Sequence, residues 1–184
     1  MLQVDLVVAM DSQNGIGKAG ELPWQLSADL RHFRDVTTRS EHPPKRNAVI
    51  MGRRTWVSIP SKFRPLPDRI NVILSRDPAF QAPEGALTAR SLTEADDLLA
   101  RDPVGIDRAF VIGGQQIYEL ALRETACRRI YLTRVHGRFD CDAFFPTLPP
   151  EFQEISAGPV LSESGLDYSF HIFEYVPLPA PGAK

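Results

Sequence analysis

The chain has 184 residues, of which 43% are hydrophobic and 24% are charged, and its formal net charge at pH 7 is −2. This composition is typical of one folded globular domain, and the absence of a long basic run argues against nucleic acid as the main partner. No segment has the pattern of a signal peptide or a membrane span. Cys127 and Cys141 lack metal or redox spacing, so we expect reduced thiols in a cytoplasmic protein without a metal site.

The first element is an apolar, β-branched run at residues 4–10, which predicts a central strand. A polar, glycine-rich loop follows it, and residues 15–20 formally match the GxGxxG fingerprint of dinucleotide-binding folds. That fingerprint requires a helix to begin on the glycines, whereas this chain continues into Leu22-Pro23-Trp24. We therefore favour a mobile glycine-rich loop beside a ligand pocket.

Residues 27–37 have the spacing of an amphipathic helix. Asp29 lies within its apolar arc, three residues after Leu26 and four before Phe33, away from the other charges. Burial of an unpaired carboxylate is costly and favours its protonated form, which suits a general acid near neutral pH. The alternative is that Asp29 caps the first turn or interacts with the helix dipole, although Ser27 is the better cap candidate.

The remaining elements alternate between strands and helices. Apolar runs predict strands at 47–51, 69–74, 86–89, 109–112 and 129–133, with helices beginning near 53, 92 and 115. Two extended segments, 152–156 and 168–174, are predicted to be connected by a hairpin around Gly165. This order predicts an α/β single domain at 1–176, with a central, mostly parallel β-sheet of about eight strands, an antiparallel C-terminal edge and about four flanking helices. The Pro-rich residues 177–184 are expected to form a flexible tail.

Residues suited to binding an anion follow several of the predicted strands. Glycine, two arginines and a threonine at 52–55 open a helix, where free N–H groups and the helix dipole face an anion; a turn glycine with solvated arginines is the alternative. The pair Gly113-Gly114 allows close approach of backbone to a ligand. Because parallel sheets bind ligands at the carboxyl ends of their strands, these features predict a nucleotide-like ligand that faces a carboxylic acid.

Taken in order, these stretches resemble the dihydrofolate reductase family across nearly the whole chain. The matching motifs are Gly15-Ile16-Gly17, Leu22-Pro23-Trp24, Asp29-Leu30 with Phe33, residues 49–56 and 58–60, Arg64-Pro65-Leu66-Pro67 with Arg69, residues 71–76 and 111–114, Ile117-Tyr118, Leu132-Thr133 and Phe144-Phe145-Pro146. Each motif is weak alone, and the ordered set is specific. The resemblance implies reduction of 7,8-dihydrofolate to 5,6,7,8-tetrahydrofolate with NADPH, which supplies one-carbon metabolism.

The resemblance also implies roles for individual residues. Hydride would go to C6 of the pterin, and Asp29 would bind the pterin edge and assist protonation at N5. The implied catalytic residues are Asp29, Leu22, Trp24 and Thr133. The implied substrate-binding residues are Asp29, Leu30, Phe33, Ile59, Leu66, Arg69, Ile112, Tyr118 and Thr133. The implied cofactor-binding residues are Ala9, Ile16, Gly17, Lys18, Arg53, Arg54, Thr55, Leu74, Ser75, Arg76, Arg90, Gly113, Gly114, Gln115, Gln116, Ile117 and Tyr118.

Two positions depart from the family pattern. Gln115 is bulkier than the small residue often found after the glycine pair, and the loop at 40–46 is longer than in compact members. The resemblance further implies that antifolate inhibitors bind and that the chain is a cytoplasmic monomer without membrane or nucleic-acid partners. Two alternatives remain open, namely a related α/β reductase that acts on riboflavin precursors or another pterin, and a non-catalytic nucleotide- or folate-binding module.

Overall fold

The computed structural model describes residues 2–124 and 126–178. Its eleven described strands are β1 Gln3–Met10, β2 Gly15–Gly17, β3 Arg46–Gly52, β4 Arg69–Leu74, β5 Ala86–Ala89, β6 Ile106–Gly113, β7 Ala126–His136, β8 Ala143–Phe144, β9 Phe152–Ala157, β10 Leu161–Glu163 and β11 Leu166–Tyr175. Its four described α-helices are α1 Ser27–Thr38, α2 Arg53–Ser58, α3 Leu92–Leu99 and α4 Gln115–Glu124. Among the described residues, no helix is long and apolar enough to cross a membrane.

Nine strands form one sheet in the order β10-β11-β7-β1-β6-β3-β4-β5, with β9 also paired to β11. The neighbouring strands β7, β1, β6, β3, β4 and β5 are all parallel to one another. Strand β11 pairs antiparallel with β7, β9 and β10. The α/β class, the mostly parallel sheet and its antiparallel C-terminal edge are therefore confirmed. The small strands β2 and β8 pair separately, so the middle of the glycine-rich loop has regular pairing.

The parallel strands are buried on both faces, which explains their nearly continuous apolar runs. Because side chains alternate along a strand, Ala48 and Ile50 of β3 pack in the cluster that contains residues of α3 and α4. Val49 and Met51 pack instead in the cluster that contains Trp56 of α2 and contacts α1. The sheet thus separates two layers of helices, and α1 and α2 share one face.

The C-terminal edge differs from the prediction in one connection. The turn around Gly165 joins β11 to the short strand β10, and β9 pairs with β11 farther along. The sequence prediction missed β10 because its three residues are largely exposed and carry no apolar alternation. Residues 177–178 have no regular structure, and the rest of the predicted tail, 179–184, lies outside the described residues.

The loop at 40–46 is held by Asp107 of β6. The carboxylate of Asp107 accepts hydrogen bonds from Ser40 Oγ at 2.9 Å and from the backbone N of Glu41 at 2.5 Å, and it contacts Nδ1 of His42 at 2.7 Å. Burial raises the pKa of Asp107, but the hydrogen bonds from His42, Glu41 and Ser40 outweigh burial and lower that pKa to about 2. A single carboxylate therefore anchors the segment whose role the sequence left open.

The variant Asp107→Asn should lower the free energy of unfolding at pH 7 by about 1–2 kcal/mol, because charge-assisted hydrogen bonds to the loop are lost. The folded pKa of Asp107 lies below its ordinary value of 3.8. Its carboxylate therefore stabilises the fold fully above that value and loses its contribution as the pH falls toward about 2. Urea unfolding at several pH values will measure this, with the exposed Asp97→Asn as control. A difference from wild type that persists unchanged in acid would contradict the assignment.

Candidate functional site

The carboxyl ends of the parallel strands lie at one edge of the sheet. Gly52 of β3 pairs with Leu74 of β4, and Leu74 pairs with Ala89 of β5. Met51 pairs with Gly113 of β6. The loops that carry most of the predicted cofactor residues therefore leave the sheet side by side, as the sequence analysis predicted from the parallel topology.

Asp29 lies in the first turn of α1 and is 8% exposed. Its Oδ1 accepts a hydrogen bond of 2.7 Å from Oγ1 of Thr133, which lies in β7 beside Ala9 of β1. Burial raises the pKa of Asp29, and the hydrogen bond from Thr133 only partly opposes this. The carboxyl group thus retains its proton at a higher pH than an exposed aspartate does.

The predicted helix cap is wrong. The N-cap residue of α1 is Leu26, which makes no side-chain cap hydrogen bond, and Ser27 is the first helical residue. Asp29 does not cap the helix either, because its side-chain hydrogen bond is to Thr133. The interpretation of Asp29 as a cap is therefore excluded, while Asp29 still lies in the first turn of α1, where a carboxylate can interact with the helix dipole.

A cavity of about 420 Å³ adjoins Asp29. Leu22 and Leu30 line it and are 48% and 61% exposed, respectively, whereas Trp24 is buried at 5%. The buried Nε1 of Trp24 has no hydrogen-bond partner among the described residues. Because an unsatisfied buried donor costs about 1–3 kcal/mol, a ligand atom or a solvent molecule that accepts this hydrogen bond would be favoured here. The cavity is lined by Leu22, Trp24, Gln25, Leu26, Ser27, Asp29, Leu30, Glu163 and Ser164.

Four other predicted substrate residues come from different segments, namely α1, the end of α2, the loop before β4, and β6. Four partly buried side chains pack against the same core cluster on the α1 face of the sheet, and they are Phe33, Ile59, Leu66 and Ile112. They do not line the cavity beside Asp29. The apolar surface and the cavity therefore adjoin the same helix in different places.

Arg69 lies at the far end of this apolar surface, at the amino end of β4. Its Nη1 donates to Thr37 Oγ1 at 2.7 Å and its Nε donates to the Pro67 carbonyl at 2.9 Å. Among the described residues, Nη2 has no hydrogen-bond partner. Thr37 follows Asp29 by eight residues, which places the acid and the arginine about 12 Å apart along α1. A ligand that touches both must be elongated.

Glycines bring the two helix N-termini of the sheet edge close together. A Cβ on Gly114 would lie 3.3 Å from Thr55 Oγ1, and one on Gly52 would lie 3.1 Å from Cγ1 of Ile117. The Gly113-Gly114 peptide bond is cis, and Gly113 has a φ of 126°. The glycines therefore let the first turns of α2 and α4 pack against each other at this edge.

Tyr118 is less accessible than its predicted role in ligand contact suggests. It is buried, and its hydroxyl donates to the Val7 carbonyl at 2.7 Å. A Cβ on Gly113 would lie 3.4 Å from this hydroxyl. Burial raises the pKa of Tyr118, and the charge of Asp29 raises it further. Tyr118 therefore supports the glycine pair from the interior of the protein.

The basic residues of the sheet edge fall into two groups. Arg53 pairs with Asp77 at 2.9 Å and Lys18 pairs with Asp140 at 2.7 Å. Three arginines are exposed and have no ion-pair partner among the described residues, and they are Arg54, Arg76 and Arg90. Only the second group has its charge free to meet an anionic ligand.

Gln115, the residue that departs from the family pattern, is used within the protein. Its Nε2 donates to Oε1 of Glu119 at 3.1 Å, and its Oε1 accepts from the backbone N of Phe144 at 3.0 Å. The longer side chain of Gln115 therefore connects α4 to β8 through hydrogen bonds. The neighbouring Gln116 is exposed, and Ile16 is partly buried.

Sequence reasoning missed Asp11, which organises the glycine-rich loop. Its carboxylate accepts from the backbone N of Gln13 and Gly15 at 2.8 Å each and from that of Phe139 at 2.9 Å. Burial raises the pKa of Asp11, but these hydrogen bonds outweigh burial and lower it. A polar residue directly after an apolar strand was the available signal, since aspartate commonly binds backbone N–H groups two residues later.

Comparisons with known proteins agree with this geometry. A family model described as "Dihydrofolate reductase" matches residues 3–176. The dihydrofolate reductase of Aedes albopictus is 38% identical, over 96% of this chain and 100% of that protein. The bifunctional dihydrofolate reductase-thymidylate synthase 2 of Arabidopsis thaliana is 43% identical over 90% of this chain, which spans 30% of that protein. A solved Schistosoma mansoni dihydrofolate reductase superposes with a TM-score of 0.83 and 36% identity, over 95% of this chain and 98% of that one.

The fold and these matches define an α/β oxidoreductase that binds a small-molecule substrate and belongs to a family that uses a nicotinamide cofactor. The chain belongs to the dihydrofolate reductase family, and its activity is that of a dihydrofolate reductase. The alternative of a non-catalytic binding module is therefore excluded.

The variant Thr133→Val should raise the pKa of Asp29 further, because the lost hydrogen bond stabilises the charged carboxylate. The matched variant Thr133→Ser keeps the hydroxyl and should leave the pKa near that of wild type. A pH titration of the Asp29 carboxyl carbon by NMR will measure the shift. Equal pKa values in the two variants would show that the hydroxyl does not act on Asp29.

Proposed function

We propose that this chain reduces 7,8-dihydrofolate to 5,6,7,8-tetrahydrofolate with NADPH, with hydride delivered to C6 and with Asp29-assisted protonation of N5. One observation carries the proposal, namely a buried carboxyl group of raised pKa that lies beside a cavity and is bonded to Thr133. Such a group is rare unless a ligand or a reaction requires it. Among the described residues no ion pair involves Asp29, and its side-chain hydrogen bond comes from the neutral hydroxyl of Thr133.

The residues of the sheet edge fit a dinucleotide cofactor, which supplies the hydride when bound. A Cβ on Gly52 or Gly114 would press against Ile117 or Thr55, so glycine at these positions lets the first turns of α2 and α4 lie close together, where their free N–H groups would face a pyrophosphate. Arg54 and Arg76 are exposed and unpaired among the described residues, and together with Ser75 they would hold a 2′-phosphate. Because charge-assisted contacts to phosphate are strong, this set favours NADPH over NADH.

Asp29 would act on the proton that the reaction requires. Hydride addition at C6 leaves electron density on N5, which must gain a proton. A protonated Asp29 can donate it, or Asp29 can bind the pterin edge while a water molecule protonates N5. Thr133 fixes the position of the carboxyl, and Leu22 and Trp24 would exclude bulk water from the reacting atoms.

Arg69 would bind the far end of the substrate. Its Nη1 and Nε are held by Thr37 and Pro67, so the guanidinium is oriented before a ligand arrives, while Nη2 is free to donate. A planar guanidinium suits the α-carboxylate of a glutamate tail. The apolar side chains between Asp29 and Arg69 would then cover the rings of the substrate.

The remaining proposals concern partners and location. Antifolate inhibitors that carry the pterin hydrogen-bonding pattern would bind at Asp29. We propose a cytoplasmic monomer, in line with the two free cysteines and the near-neutral charge.

Oxidation of NADPH in the presence of 7,8-dihydrofolate, followed by absorbance, tests the proposal directly. A related reductase of another pterin or of riboflavin precursors would share the cofactor site without needing both Asp29 and Arg69. Activity with such a substrate, together with none on 7,8-dihydrofolate, would overturn the proposed substrate. Equal efficiency with NADH and NADPH would overturn the assignment of the 2′-phosphate residues.

The variant Asp29→Asn should lower turnover at neutral pH by roughly 10²–10⁴-fold, since general acid catalysis typically contributes this much. NADPH binding should be unchanged, because no predicted cofactor contact is lost. Asp35→Asn removes an exposed carboxylate from the same helix and serves as control. As the pH is lowered, solvent protonates more of the 7,8-dihydrofolate, so the Asp29 variant should recover part of its loss in acid; a deficit that is independent of pH would limit Asp29 to orienting the pterin.

The variants Arg69→Leu and Arg54→Leu should separate the two halves of the site. Arg69→Leu should raise KM for 7,8-dihydrofolate by roughly 10- to 100-fold, and Arg54→Leu should raise KM for NADPH and leave that for NADH nearly unchanged. Steady-state kinetics with each ligand varied will measure both effects. Arg69→Lys keeps the charge without the planar fork and controls for geometry. A cofactor effect of Arg69→Leu would place this residue in the wrong half of the site.

A further inference from the structure

The first turn of α1 lacks a local cap. Its N-cap residue, Leu26, is apolar and provides no acceptor for the free N–H groups of the helix. The carboxylate of Glu163 supplies the acceptors instead, at 2.8 Å from the backbone N of Ser27 and 3.0 Å from that of Ala28. The hydroxyl of Ser27 donates to the same carboxylate. Glu163 thus satisfies two of the N–H groups that every helix start leaves unpaired.

The hairpin between β10 and β11 fixes the place of this carboxylate. Ser164 and Gly165 both have positive φ, 52° and 79°, which is the geometry of the two-residue type I′ turn that matches strand twist. Glu163 pairs with Leu166 directly beside the turn. The hydrogen bonds from Ser27 and Ala28 lower the pKa of Glu163, so a negative charge faces the positive end of the helix dipole at neutral pH.

We propose that Glu163 is a positioning residue for Asp29, which is the third residue of α1. The hairpin holds the first turn of the helix through Glu163, and Thr133 holds the side chain of Asp29 from the sheet. Glu163 and Asp29 also line the same cavity, so a displaced hairpin would open the surroundings of the carboxyl to water. This inference rests on the proposed role of Asp29 in the reaction.

The groups that face this turn come from several elements. Thr133 of β7 donates a hydrogen bond to Asp29. The charge of Asp29 helps to raise the pKa of Tyr118 in α4. His32 lies one turn along α1, where burial lowers its pKa, and the charge of Arg31 helps to lower the pKa of Glu163. Replacing Glu163 leaves all four in place. Loss of the cap should lower the pKa of Asp29, because water then reaches its carboxyl group. Loss of the negative charge of Glu163 should lower that pKa as well, because it removes the repulsion between the two carboxylates.

The test compares Glu163→Ala and Glu163→Gln with Asp167→Asn. Asp167 is a carboxylate of the same hairpin whose partner, Ser162, also lies in the hairpin. In Glu163→Ala we expect the pKa of Asp29, measured by NMR in the free protein, to fall, and kcat at neutral pH to drop roughly 2- to 30-fold, the range of a lost helix cap. Glu163→Gln keeps one acceptor oxygen and should show a smaller loss. KM for NADPH should be unchanged in both, and Asp167→Asn should match wild type.

Thermal unfolding of each variant separates a positioning role from a structural one. A lowered Tm with an unchanged pKa of Asp29 and an unchanged pH profile of kcat would overturn the inference, as would equal effects in Asp167→Asn. The proposed role of Asp29 fails separately: if Asp29→Asn retains full turnover while Glu163→Ala still lowers the pKa of Asp29, the coupling stands and the catalytic assignment falls. If Glu163→Ala fails to fold, Glu163→Gln carries the same comparison.

Discussion

The burial of one carboxyl group on α1 is the constraint on which the site depends. The carboxyl group of Asp29 accepts one side-chain hydrogen bond, from the hydroxyl of Thr133, and burial raises its pKa. Its position requires that α1 lie on the face of β7 and that the first turn of the helix stay formed, although its own N-cap residue cannot hold it. The parallel sheet provides the first condition, and the C-terminal hairpin provides the second.

Both ends of α1 are held by side chains from distant parts of the chain. Glu163 binds the first turn, and Nδ2 of Asn47 donates to the carbonyls of Thr37 and Arg39 at 3.1 and 3.0 Å at the last turn. Arg69 binds Thr37 at the same end. The helix therefore fixes the separation between the acid and the arginine, which is the dimension that an elongated substrate would have to match.

The sequence was sufficient wherever the signal was local. Apolar runs gave the bounds of β4 and β5 as the structure has them, and the helical period placed Asp29 on the inward face of α1. The missing parts depend on distant partners. Glu163 lies 136 residues from Ser27, and Asp107 lies 65 residues from His42. No local sequence pattern therefore identifies Glu163 as the helix cap or Asp107 as the anchor of the loop. The preference of serine for the N-cap position therefore suggested Ser27 as the cap. In the structure the carboxylate of Glu163, from the β10–β11 hairpin, performs that function instead.

A second buried aspartate, Asp5, differs from Asp29 in how its charge is compensated. Asp5 is 3% exposed near the amino end of β1, and it accepts hydrogen bonds from Arg108, from Arg128 and from the backbone N of Arg129. Removing one partner of such a buried group is costly, so Asp5 has a structural role. Asp29 lies near the other edge of the sheet, where parallel strands bind ligands, and has no cationic partner among the described residues. The cost of burying the Asp29 carboxylate is therefore only partly offset, and hydrogen-bond donors on the edge of a bound pterin would offset the rest.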